Sequence, residues 1–402
     1  MAVTSLAVIL AAGEGSRMRP LTATRPKVML PVAGLPILEH SLVECRAAGL
    51  ADFIFVVGYR EDTIRDYFRD GSRWGVRLRY ISQRQPLGTA DALRQAGPLL
   101  NAPFILMNGD VLIKADDIRQ LMALSPPVVS LVERDEVTGM GVAEVSGNRV
   151  VRFHEKSTVP PTRLVNAGTY HLSPDILPMV TNTALSPRGE YEITDTLQTL
   201  INSGGEVRYR MINHWRDIGN PWELLAANEE FLKDMEPKFE GKVEPGAVII
   251  GPVVIGRDSL IRSGCYITGP VVIGEQCDIG PNCYIRPATT IGDRCRLGAS
   301  VEVKNTVIMS GTHIPHLSYV GDSVIGEKCN LGAGTKVANV RLDGRSVVTG
   351  RGGRRKAGVI MGDKVSTGIN SSINPGTIIG SGAFIGPGAV VGGNIGNGAK
   401  IL

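Results

Sequence analysis

Hydrophobic positions change their spacing around residue 240 of this 402-residue chain. Before that point, short apolar runs such as LAVILAA, FIFVVGY, FILMNGDV and VVSLVE alternate with helical segments such as LPILEHSLVECRAAG and TADALRQAGPLL. This alternation predicts an α/β, Rossmann-like domain with a mostly parallel sheet flanked by helices. The segment NPWELLAANEEFLKDM predicts one more helix, with Trp222, Leu225 and Phe231 on its apolar side.

Beyond residue 242 the aliphatic residues recur at every sixth position. The positions are Ile249, Ile255, Ile261, Ile267, Ile273, Ile279, Ile285, Ile291, Leu297, Val303 and Met309, then Ile325, Leu331 and Val337, then Ile373, Ile379, Ile385 and Val391. One aliphatic residue in six, usually followed by glycine, is typical of the hexapeptide repeats of a parallel β-helix. We therefore predict an α/β domain over 1–230, a linker over 231–242 and a parallel β-helix over 243–402, left-handed as in hexapeptide proteins.

The amino-acid composition limits which kinds of ligand and partner the chain is expected to bind. The net charge of +4, from 43 basic and 39 acidic residues, argues against nucleic acid or an anionic membrane as a ligand. No apolar stretch is long enough to span a bilayer. Four of the six cysteines, at positions 265, 277, 283 and 295, follow the repeat, so we expect buried corner residues rather than disulfides or zinc ligands. A cytoplasmic location is the expectation.

The stretch LAAGEGSRMRPLTATRPKVMLPV places glycines and cations directly after the first predicted strand. Without side chains, Gly13 and Gly15 allow backbone N–H groups to approach phosphate oxygens closely. Arg17 and Lys27 can bring positive charge to the same oxygens. The stretch therefore predicts a binding site for a phosphate chain.

Two aspartates end other predicted strands of the same domain. Asp110 lies in MNGDV and Asp217 lies in WRDIGN. Ligands of open parallel sheets bind at the carboxyl ends of the strands, and two carboxylates there suit Mg²⁺ that also contacts phosphate oxygens. A lone aspartate is more often a helix cap or turn residue, and that alternative stays open at this point.

The pattern LAAGxGxRM(R)PLT…PKxMLPVxGxPIL resembles the signature of sugar-1-phosphate nucleotidylyltransferases. The resemblance implies attack by a sugar-1-phosphate oxygen on the α-phosphate of a nucleoside triphosphate, with release of pyrophosphate and with Arg17 and Lys27 as the catalytic cations. Residues implied in nucleotide binding are Leu10, Ala11, Ala12, Gly13, Gly15, Gln83, Gln85, Gly88 and Thr89. Residues implied in sugar-phosphate binding are Gly141, Glu155, Lys156, Asn166 and Gly168.

Two cations of the repeat region follow an aliphatic residue where glycine is usual. They are Arg286 and Lys304, which are 18 positions apart. In hexapeptide proteins three repeats close one triangular coil, so these side chains would stack on successive coils about 4.8 Å apart. Two stacked cations favour a bound phosphate. The six-residue period breaks nearby, at HIPHLSYVGD.

The motifs RP, VEVK, HLSYVGD, NLGAGT and ANVRLDG resemble the acetyltransferase half of bifunctional N-acetylglucosamine-1-phosphate uridylyltransferases/glucosamine-1-phosphate acetyltransferases, and the whole chain looks most like the archaeal type. The resemblance implies acetyl-CoA as cosubstrate, His316 as general base, Glu302 as the residue that orients it, and the N–H of Ala333 as oxyanion donor. Residues implied in amino-sugar-phosphate binding are Arg286, Lys304, Tyr319, Asn330, Asn339 and Lys356. The neighbouring arginines 351, 354 and 355 are either a solvated loop or contacts to coenzyme A phosphates.

Several alternatives stay open. Asp217 stands where bacterial bifunctional enzymes have asparagine and thymidylyltransferases have aspartate, so UTP and dTTP both remain candidates. Bacterial members also carry an arm after the β-helix, whereas this sequence ends at Leu402. A glucose-1-phosphate thymidylyltransferase or mannose-1-phosphate guanylyltransferase with a purely structural β-helix is the main competitor, and a non-catalytic regulatory subunit is another. A closed three-fold homotrimer is expected, as in other hexapeptide acyltransferases.

Overall fold

The computed structural model describes residues 4–156, 158–349 and 352–402. Arg351 of the basic loop lies outside these residues. The chain divides into two compact units, each described here by itself. The first contains Met1–Glu14, Pro26–Met29 and Ile37–Asp217, and the second contains Gly15–Arg25, Leu30–Pro36 and Ile218–Leu402.

The elements before the repeat region follow the predicted alternation. The strands are β1 (Leu6–Ala11), β2 (Pro31–Val32), β3 (Leu35–Pro36), β4 (Asp52–Val57), β5 (Arg77–Ser82), β6 (Phe104–Asn108), β7 (Val111–Ile113), β8 (Val128–Glu133), β9 (Val142–Ser146), β10 (Arg149–His154), β11 (Leu164–Leu172), β12 (Val207–Met211) and β13 (Trp215–Asp217). The helices are α1 (Ile37–Ala47), α2 (Glu61–Phe68), α3 (Thr89–Ala96), α4 (Ala115–Met122), α5 (Leu177–Thr181), α6 (Ile193–Asn202) and α7 (Pro221–Leu232). Short 3-10 helices cover Ser16–Met18, Lys27–Met29, Ser72–Trp74, Gly97–Leu99 and Pro174–Ile176.

The main sheet of the first unit has the order β5-β4-β1-β6-β11-β8-β12-β10-β9 in the described residues. Strands β5, β4, β1 and β6 are parallel, and they contain three of the four predicted apolar runs. Strand β11 pairs antiparallel with β6 and with β8, which contains the fourth run. Ile9, Phe55 and Met107 are fully buried in this sheet. The carboxyl ends of the parallel strands therefore meet at one edge.

Helix α7 confirms the last predicted helix before the repeats. Asn220 caps its first turn, because the Asn220 side chain accepts from the N–H groups of Trp222 and Glu223 while Glu223 accepts from the N–H of Asn220. Trp222 and Leu225 are buried, and Phe231 is half-buried. No helix of the described residues has both the length and the apolar content that crossing a membrane requires.

From residue 238 onward the described chain forms three sheets of short parallel strands, which are numbered here as faces of the repeat region. Face 1 contains Lys238–Phe239, Val253–Ile255, Val271–Ile273, Thr289–Ile291, Val307–Ile308, Val324–Ile325, Val359–Met361, Thr377–Ile379 and Asn394–Ile395. Face 2 contains Lys242–Val243, Leu260–Ile261, Asp278–Ile279, Arg296–Ala299, His313–His316, Asn330–Leu331, Ser366–Thr367, Phe384–Ile385 and Lys400–Ile401. Face 3 contains Val248–Ile250, Tyr266–Thr268, Tyr284–Ile285, Glu302–Lys304, Tyr319–Gly321, Lys336–Val337, Ser372–Ile373 and Val390–Val391.

The three faces form the predicted left-handed parallel β-helix. Val253 pairs with Val271, and Val271 pairs with Thr289, so one coil takes 18 residues as three hexapeptides require. The first strand of face 1, Lys238–Phe239, already lies inside the segment expected to be a linker. A hairpin of Val347–Val348 and Gly353–Arg354 interrupts the coils.

The prediction that Met309 points into the β-helix is wrong. Thr290 pairs with Val307, 17 residues on, so the coil is one residue shorter there and Ile308 joins the buried core in place of Met309. Three consecutive apolar residues, 307 to 309, fit either register, which is why the period alone could not decide. All six cysteines are buried and free, and the predicted burial of Cys265, Cys277, Cys283 and Cys295 is confirmed.

Candidate functional site

Lys27 and two carboxylates meet at the edge of the first unit. The Lys27 ammonium donates to Oδ2 of Asp110 at 2.6 Å and lies 3.9 Å from Oδ1 of Asp217. Strands β7 and β13 cause this proximity, because Asp217 pairs with Val111, the residue after Asp110. Only 7% of Lys27 is exposed, so its charge acts in a partly dry environment. We call Asp110 and Asp217 the carboxylate pair.

Glycine shapes the backbone next to the carboxylate pair. The N–H of Gly109 donates to the carbonyl of Leu10 at 2.9 Å, and a Cβ at position 109 would lie 2.7 Å from that oxygen. Around Gly13, in contrast, no atom of the described residues other than its two chain neighbours lies within 4 Å of the place a Cβ would take. A ligand could therefore approach the backbone at Gly13, and its predicted contact with phosphate stays a prediction.

The donor set fits a Mg²⁺ ion that shares phosphate oxygens. Two carboxylates within reach of one cation supply hard oxygen ligands, and Mg²⁺ needs few protein ligands when phosphates are present. In the described ranges, no group of three or more histidine, cysteine, aspartate or glutamate side chains could hold a metal without such help. The site therefore suits a metal that arrives with a nucleotide.

A cavity of about 460 Å³ opens at the carboxyl ends of β1, β4 and β5. Its walls are Ala12, Glu14, Gly58, Tyr59, Glu61, Ser82, Gln83, Arg84 and Pro86. A Cβ at Gly58 would lie 2.9 Å from the carbonyl oxygens of both Ala12 and Gln83, so glycine lets these segments approach. Parallel sheets bind nucleotides in this position. Ala12 and Gln83 were predicted from the sequence, whereas the other wall residues were not.

The predicted base-binding segment is fixed by contacts within the protein. The Gln83 amide donates to Oδ2 of Asp91 at 2.7 Å and to the carbonyl of Gly88 at 3.2 Å. Gly88 has a φ of +109°, and a Cβ there would lie 2.5 Å from the Tyr191 carbonyl oxygen. The Thr89 hydroxyl accepts from the N–H of Ile193 at 2.9 Å. These contacts position the segment.

Two further predicted site residues are exposed. Gln85 is exposed, and Arg17 is exposed on the 3-10 helix Ser16–Met18, which follows Gly15 in the left-handed region. Leu10 and Ala11 form the end of β1. The roles of these residues stay predictions.

The predicted sugar residues of the first unit lie together. Asn166 donates its backbone N–H to the carbonyl of Gly141 at 2.9 Å and accepts from the N–H of Gly168 at 3.1 Å on its side chain. A Cβ at Gly141 would lie 2.9 Å from Oε2 of Glu155. Lys156 is next in the chain and is exposed. We call these five residues the sugar pocket.

Arg188 and Glu192 belong to this neighbourhood and were missed. Nη1 of Arg188 lies 3.3 Å from Oε1 of Glu155 and donates to Oε1 of Glu192 at 2.7 Å. Burial raises the pKa of Glu155. Burial, reinforced by the Glu155 charge, raises the pKa of Glu192 to about 7. The run RGEYEITD places an arginine among acidic residues, and this pattern is the sequence signal that could have identified Arg188 and Glu192.

In the β-helix, the predicted amino-sugar-phosphate residues of face 3 surround a residue that the sequence analysis missed. Asp322, of which 3% is exposed, accepts from Asn339 at 2.5 Å and from Asn305 at 2.8 Å, and its Oδ2 lies 3.8 Å from the Lys304 ammonium. The Asn339 amide also donates to the Tyr319 hydroxyl at 3.2 Å. Asp322 therefore holds both the cation and the amide.

Two predicted cations lie within electrostatic reach of a third, Lys304, and we call the three residues the cation cluster. They are Arg286, Lys304 and Lys356. Burial lowers the pKa of Lys304, the Asp322 carboxylate opposes this effect, and the charges of Lys356 and Arg286 lower the pKa further. The Arg286 guanidinium donates to Oε1 of Glu302 at 2.9 Å. Cations that repel one another in this way are stabilised by a bound anion.

His316 lies at the end of a face 2 strand, opposite Ala299 on the preceding coil. Its side chain is exposed, and its carbonyl accepts from the N–H of Gly334 at 3.1 Å, which ties it to the turn that contains Ala333. The Glu302 carboxylate accepts from Arg286, and its orienting role toward His316 stays a prediction. Asn330 is exposed one coil further, opposite His313.

Family comparisons divide the chain in the same way. The model described as "Nucleotidyl transferase" matches residues 6–234. The model "GMPPB C-terminal domain" matches residues 267–370, and "Bacterial transferase hexapeptide (six repeats)" matches residues 358–393. A solved UDP-glucose pyrophosphorylase in complex with UDP-glucose covers 58% of this chain and 100% of its own, with a TM-score of 0.53 and 24% identity. That likeness shows the fold alone.

Curated relatives match almost the whole chain. The "Bifunctional protein GlmU" of Methanococcus maripaludis is 39% identical over 93% of this chain and 92% of its own. The "Bifunctional sugar-1-phosphate nucleotidylyltransferase/acetyltransferase" of Sulfurisphaera tokodaii is 38% identical over 93% of this chain and 94% of its own. Identity at this level over both units shows the family, and the chain belongs to the GlmU-type bifunctional sugar-1-phosphate nucleotidylyltransferases/acetyltransferases.

Proposed function

We propose that the chain catalyses two successive reactions on an amino-sugar phosphate. Glucosamine-1-phosphate is first N-acetylated by acetyl-CoA, and N-acetylglucosamine-1-phosphate then receives a uridylyl group from UTP with Mg²⁺ present. One observation carries the proposal: a single chain has Lys27 on a carboxylate pair in its first unit and a cation cluster on its β-helix. Relatives that match both units are named for both activities.

In the nucleotidyl transfer, an oxygen of the sugar phosphate attacks the α-phosphorus of UTP. The new P–O bond forms as the bond between the α-phosphorus and the bridging oxygen breaks, and pyrophosphate leaves with the electron pair. Mg²⁺ held by Asp110 and Asp217 would neutralise phosphate charge. The Lys27 ammonium, which donates to Asp110, would turn toward the phosphates once that carboxylate holds the metal. Lys27 and Arg17 then stabilise the leaving charge.

The sugar pocket orients the attacking substrate. Glu155 can accept hydrogen bonds from sugar hydroxyls, and Lys156 can pair with the sugar phosphate. Arg188 lies 3.3 Å from the Glu155 carboxylate and helps to orient it before the sugar binds. Glucose-1-phosphate fits the same contacts and remains a second acceptor.

In the acetyl transfer, the amine nitrogen of glucosamine-1-phosphate attacks the thioester carbonyl carbon of acetyl-CoA. His316 removes the amine proton, the C–S bond breaks, and the departing thiolate takes up that proton to leave as the free thiol. The cation cluster binds the substrate phosphate, and the N–H of Ala333 stabilises the oxyanion. The exposed ring of His316 is accessible for this task.

A three-fold trimer is part of the proposal, and the placement of these groups supports it. His316 ends a strand of face 2, whereas Arg286 and Lys304 lie at the end of face 3. Hexapeptide acyltransferases complete their sites with coils of adjacent subunits, and closed cyclic symmetry is the common solution for identical chains. Acetyl-CoA would bind where two subunits meet.

The choice of nucleotide rests on Asp217. An aspartate there is shared with thymidylyltransferases, so dTTP is the second candidate for the nucleotidyl donor. Comparing pyrophosphate release with UTP and with dTTP at equal concentrations decides between them.

One assay pair tests the proposed function. Thiol release from acetyl-CoA with glucosamine-1-phosphate is measured beside pyrophosphate release from UTP with N-acetylglucosamine-1-phosphate. His316→Ala should lose thiol release and keep pyrophosphate release. The control is His313→Ala, which removes an exposed imidazole from the same strand and should keep both activities. A wild-type chain that releases no thiol would leave only a nucleotidylyltransferase with a structural β-helix.

A further inference from the structure

Arg25 of the signature stretch is buried against carboxylates of the β-helix coils. Its Nη1 donates to Oε1 of Glu327 at 2.7 Å, and its Nη2 pairs with Oδ2 of Asp363. The Thr24 hydroxyl donates to the same Asp363 oxygen at 2.5 Å. Arg25 is 7% exposed and Asp363 is 4% exposed, and all four residues belong to the second unit. A buried ion pair of this kind is costly to break, because the remaining charge stays desolvated.

The β-helix itself needs only one oxygen of Asp363. Oδ1 of Asp363 accepts from the N–H of Glu327 at 2.8 Å, a bond between neighbouring coils. Asp293 makes the equivalent bond, since its Oδ1 accepts from the N–H of Glu275 at 2.9 Å. The second oxygen of Asp363 is left for Thr24 and Arg25. Asp363 thus makes the same inter-coil bond as Asp293 and, in addition, contacts Thr24 and Arg25.

A second buried group holds the chain on the other side of Lys27. The amide oxygen of Asn228, which is fully buried, accepts from the N–H of Ala33 and from the Thr290 hydroxyl, both at 2.8 Å. Its NH₂ group donates to the carbonyl of Ala288 at 3.1 Å. The segments Gly15–Arg25 and Leu30–Pro36, which flank Lys27 in the sequence, therefore both bond within the second unit.

We propose that Arg25 and Asp363 are positioning residues for nucleotidyl transfer. Their ion pair fixes the segment Gly15–Arg25, which contains Arg17 and ends two residues before Lys27. Misplacing a catalytic group by about 1 Å can lower a rate about 100-fold. Loss of the contacts that fix this segment should therefore lower kcat more than it lowers the affinity for substrate. This inference rests on the proposed nucleotidyl transfer. It means that nucleotidyl transfer depends on Asp363, a β-helix residue that belongs to neither proposed site.

The test compares Asp363→Asn with the matched control Asp293→Asn in the full-length chain. Asparagine keeps the oxygen that accepts the inter-coil bond at either position, but at 363 it removes the charge that pairs with Arg25. We expect Asp363→Asn to lower kcat of pyrophosphate release at least about 10-fold, with KM for UTP within about 3-fold of wild type and thiol release unchanged. Asp293→Asn should match wild type in both activities.

Hydrogen exchange gives a readout that does not depend on activity. Asp363→Asn should speed amide exchange in residues 15–25 and leave exchange in the coils around 291–303 unchanged. Should Asp363→Asn not fold, Glu327→Gln removes the half-exposed partner of Arg25 and should lower kcat in the same direction by a smaller factor.

Two results overturn the inference. In one, Asp363→Asn and Asp293→Asn have the same kcat. In the other, thiol release falls together with pyrophosphate release, which would mark Asp363 as a residue of β-helix stability only. A wild-type chain without pyrophosphate release would instead refute the proposed function, and the inference with it.

Discussion

The ammonium group of Lys27 lies 2.6 Å from Oδ2 of Asp110 and 3.9 Å from Oδ1 of Asp217. A lysine thus takes up the charge of two carboxylates that would otherwise repel each other at the edge of the sheet. The same carboxylates suit a divalent cation. Under the proposed nucleotidyl transfer, Lys27 would exchange this partner for the phosphates of the nucleotide.

Asp110→Asn should abolish most nucleotidyl transfer. The substitution removes one of two charged oxygens for Mg²⁺, so kcat should fall at least about 100-fold and the Mg²⁺ concentration for half-maximal rate should rise. Pyrophosphate release over a magnesium titration measures both. Asp116→Asn, which changes an exposed aspartate on α4, should behave as wild type. An unchanged magnesium dependence in Asp110→Asn would remove this residue from the metal site.

Glu192 gives the first unit a pH-dependent stability. Its pKa is about 7 in the folded chain against an ordinary 4.5, so the folded state binds more protons between these values and stability falls as pH rises through this window. Glu192→Gln cannot ionise. The free energy of unfolding of Glu192→Gln minus that of wild type should therefore increase by up to about 3 kcal/mol between pH 5 and pH 8.

Urea unfolding of the two proteins at several pH values measures this difference. Glu190→Gln is the control, because Glu190 is more exposed and lies 3.5 Å from Arg188. A difference between Glu192→Gln and wild type that does not change with pH would show that Glu192 is ionised throughout.

Lys304→Ala should weaken binding of the amino-sugar phosphate. The cation cluster carries mutually repelling charges that a phosphate relieves, so KM for glucosamine-1-phosphate should rise at least about 10-fold while pyrophosphate release stays unchanged. Thiol release over a range of substrate concentrations measures this. Lys364→Ala removes an exposed lysine elsewhere on the β-helix and should keep the wild-type KM. Equal KM values in the two variants would place the phosphate elsewhere.

Gly88→Ala should impair nucleotide use through the backbone. A Cβ would lie 2.5 Å from the Tyr191 carbonyl, and the φ of +109° is strained for alanine. The segment must shift away, so we expect kcat/KM for UTP to fall at least about 10-fold while thiol release is kept. Gly204 also has a positive φ, but no atom is found within 4 Å of the place its Cβ would take in the described part of the chain. Gly204→Ala therefore introduces backbone strain without a clash and should retain UTP use. Wild-type kinetics in Gly88→Ala would contradict the close approach.

Much of the architecture was predictable because each β-helix repeat carries its own aliphatic residue. Ile255, Ile261 and Ile267 are buried in the predicted register. The register change at Ile308 was not predictable, since Met309 is equally apolar and its sulfur instead lies 3.3 Å from Nη1 of Arg25.

The carboxylate pair was predicted from strand ends, whereas the charged neighbours of the sites were not. Asp322 lies in the run YVGDS beside the broken period, and its contacts with Lys304 and Asn339 depend on two shortened coils. Arg188 and Glu155 are 33 positions apart and meet only in the folded chain. A local sequence pattern identifies residues that lie on the same strand or helix, but it does not identify pairs of residues that only tertiary packing brings together.

A coupled synthesis tests the account most directly. Purified chain is given glucosamine-1-phosphate, acetyl-CoA, UTP and Mg²⁺, and nucleotide sugars are identified by mass spectrometry. We predict UDP-N-acetylglucosamine from wild type, none from His316→Ala, and recovery in that variant when N-acetylglucosamine-1-phosphate is supplied. If wild type makes the product only from the pre-acetylated sugar, the β-helix has no acetyltransferase activity and the two-reaction account is wrong.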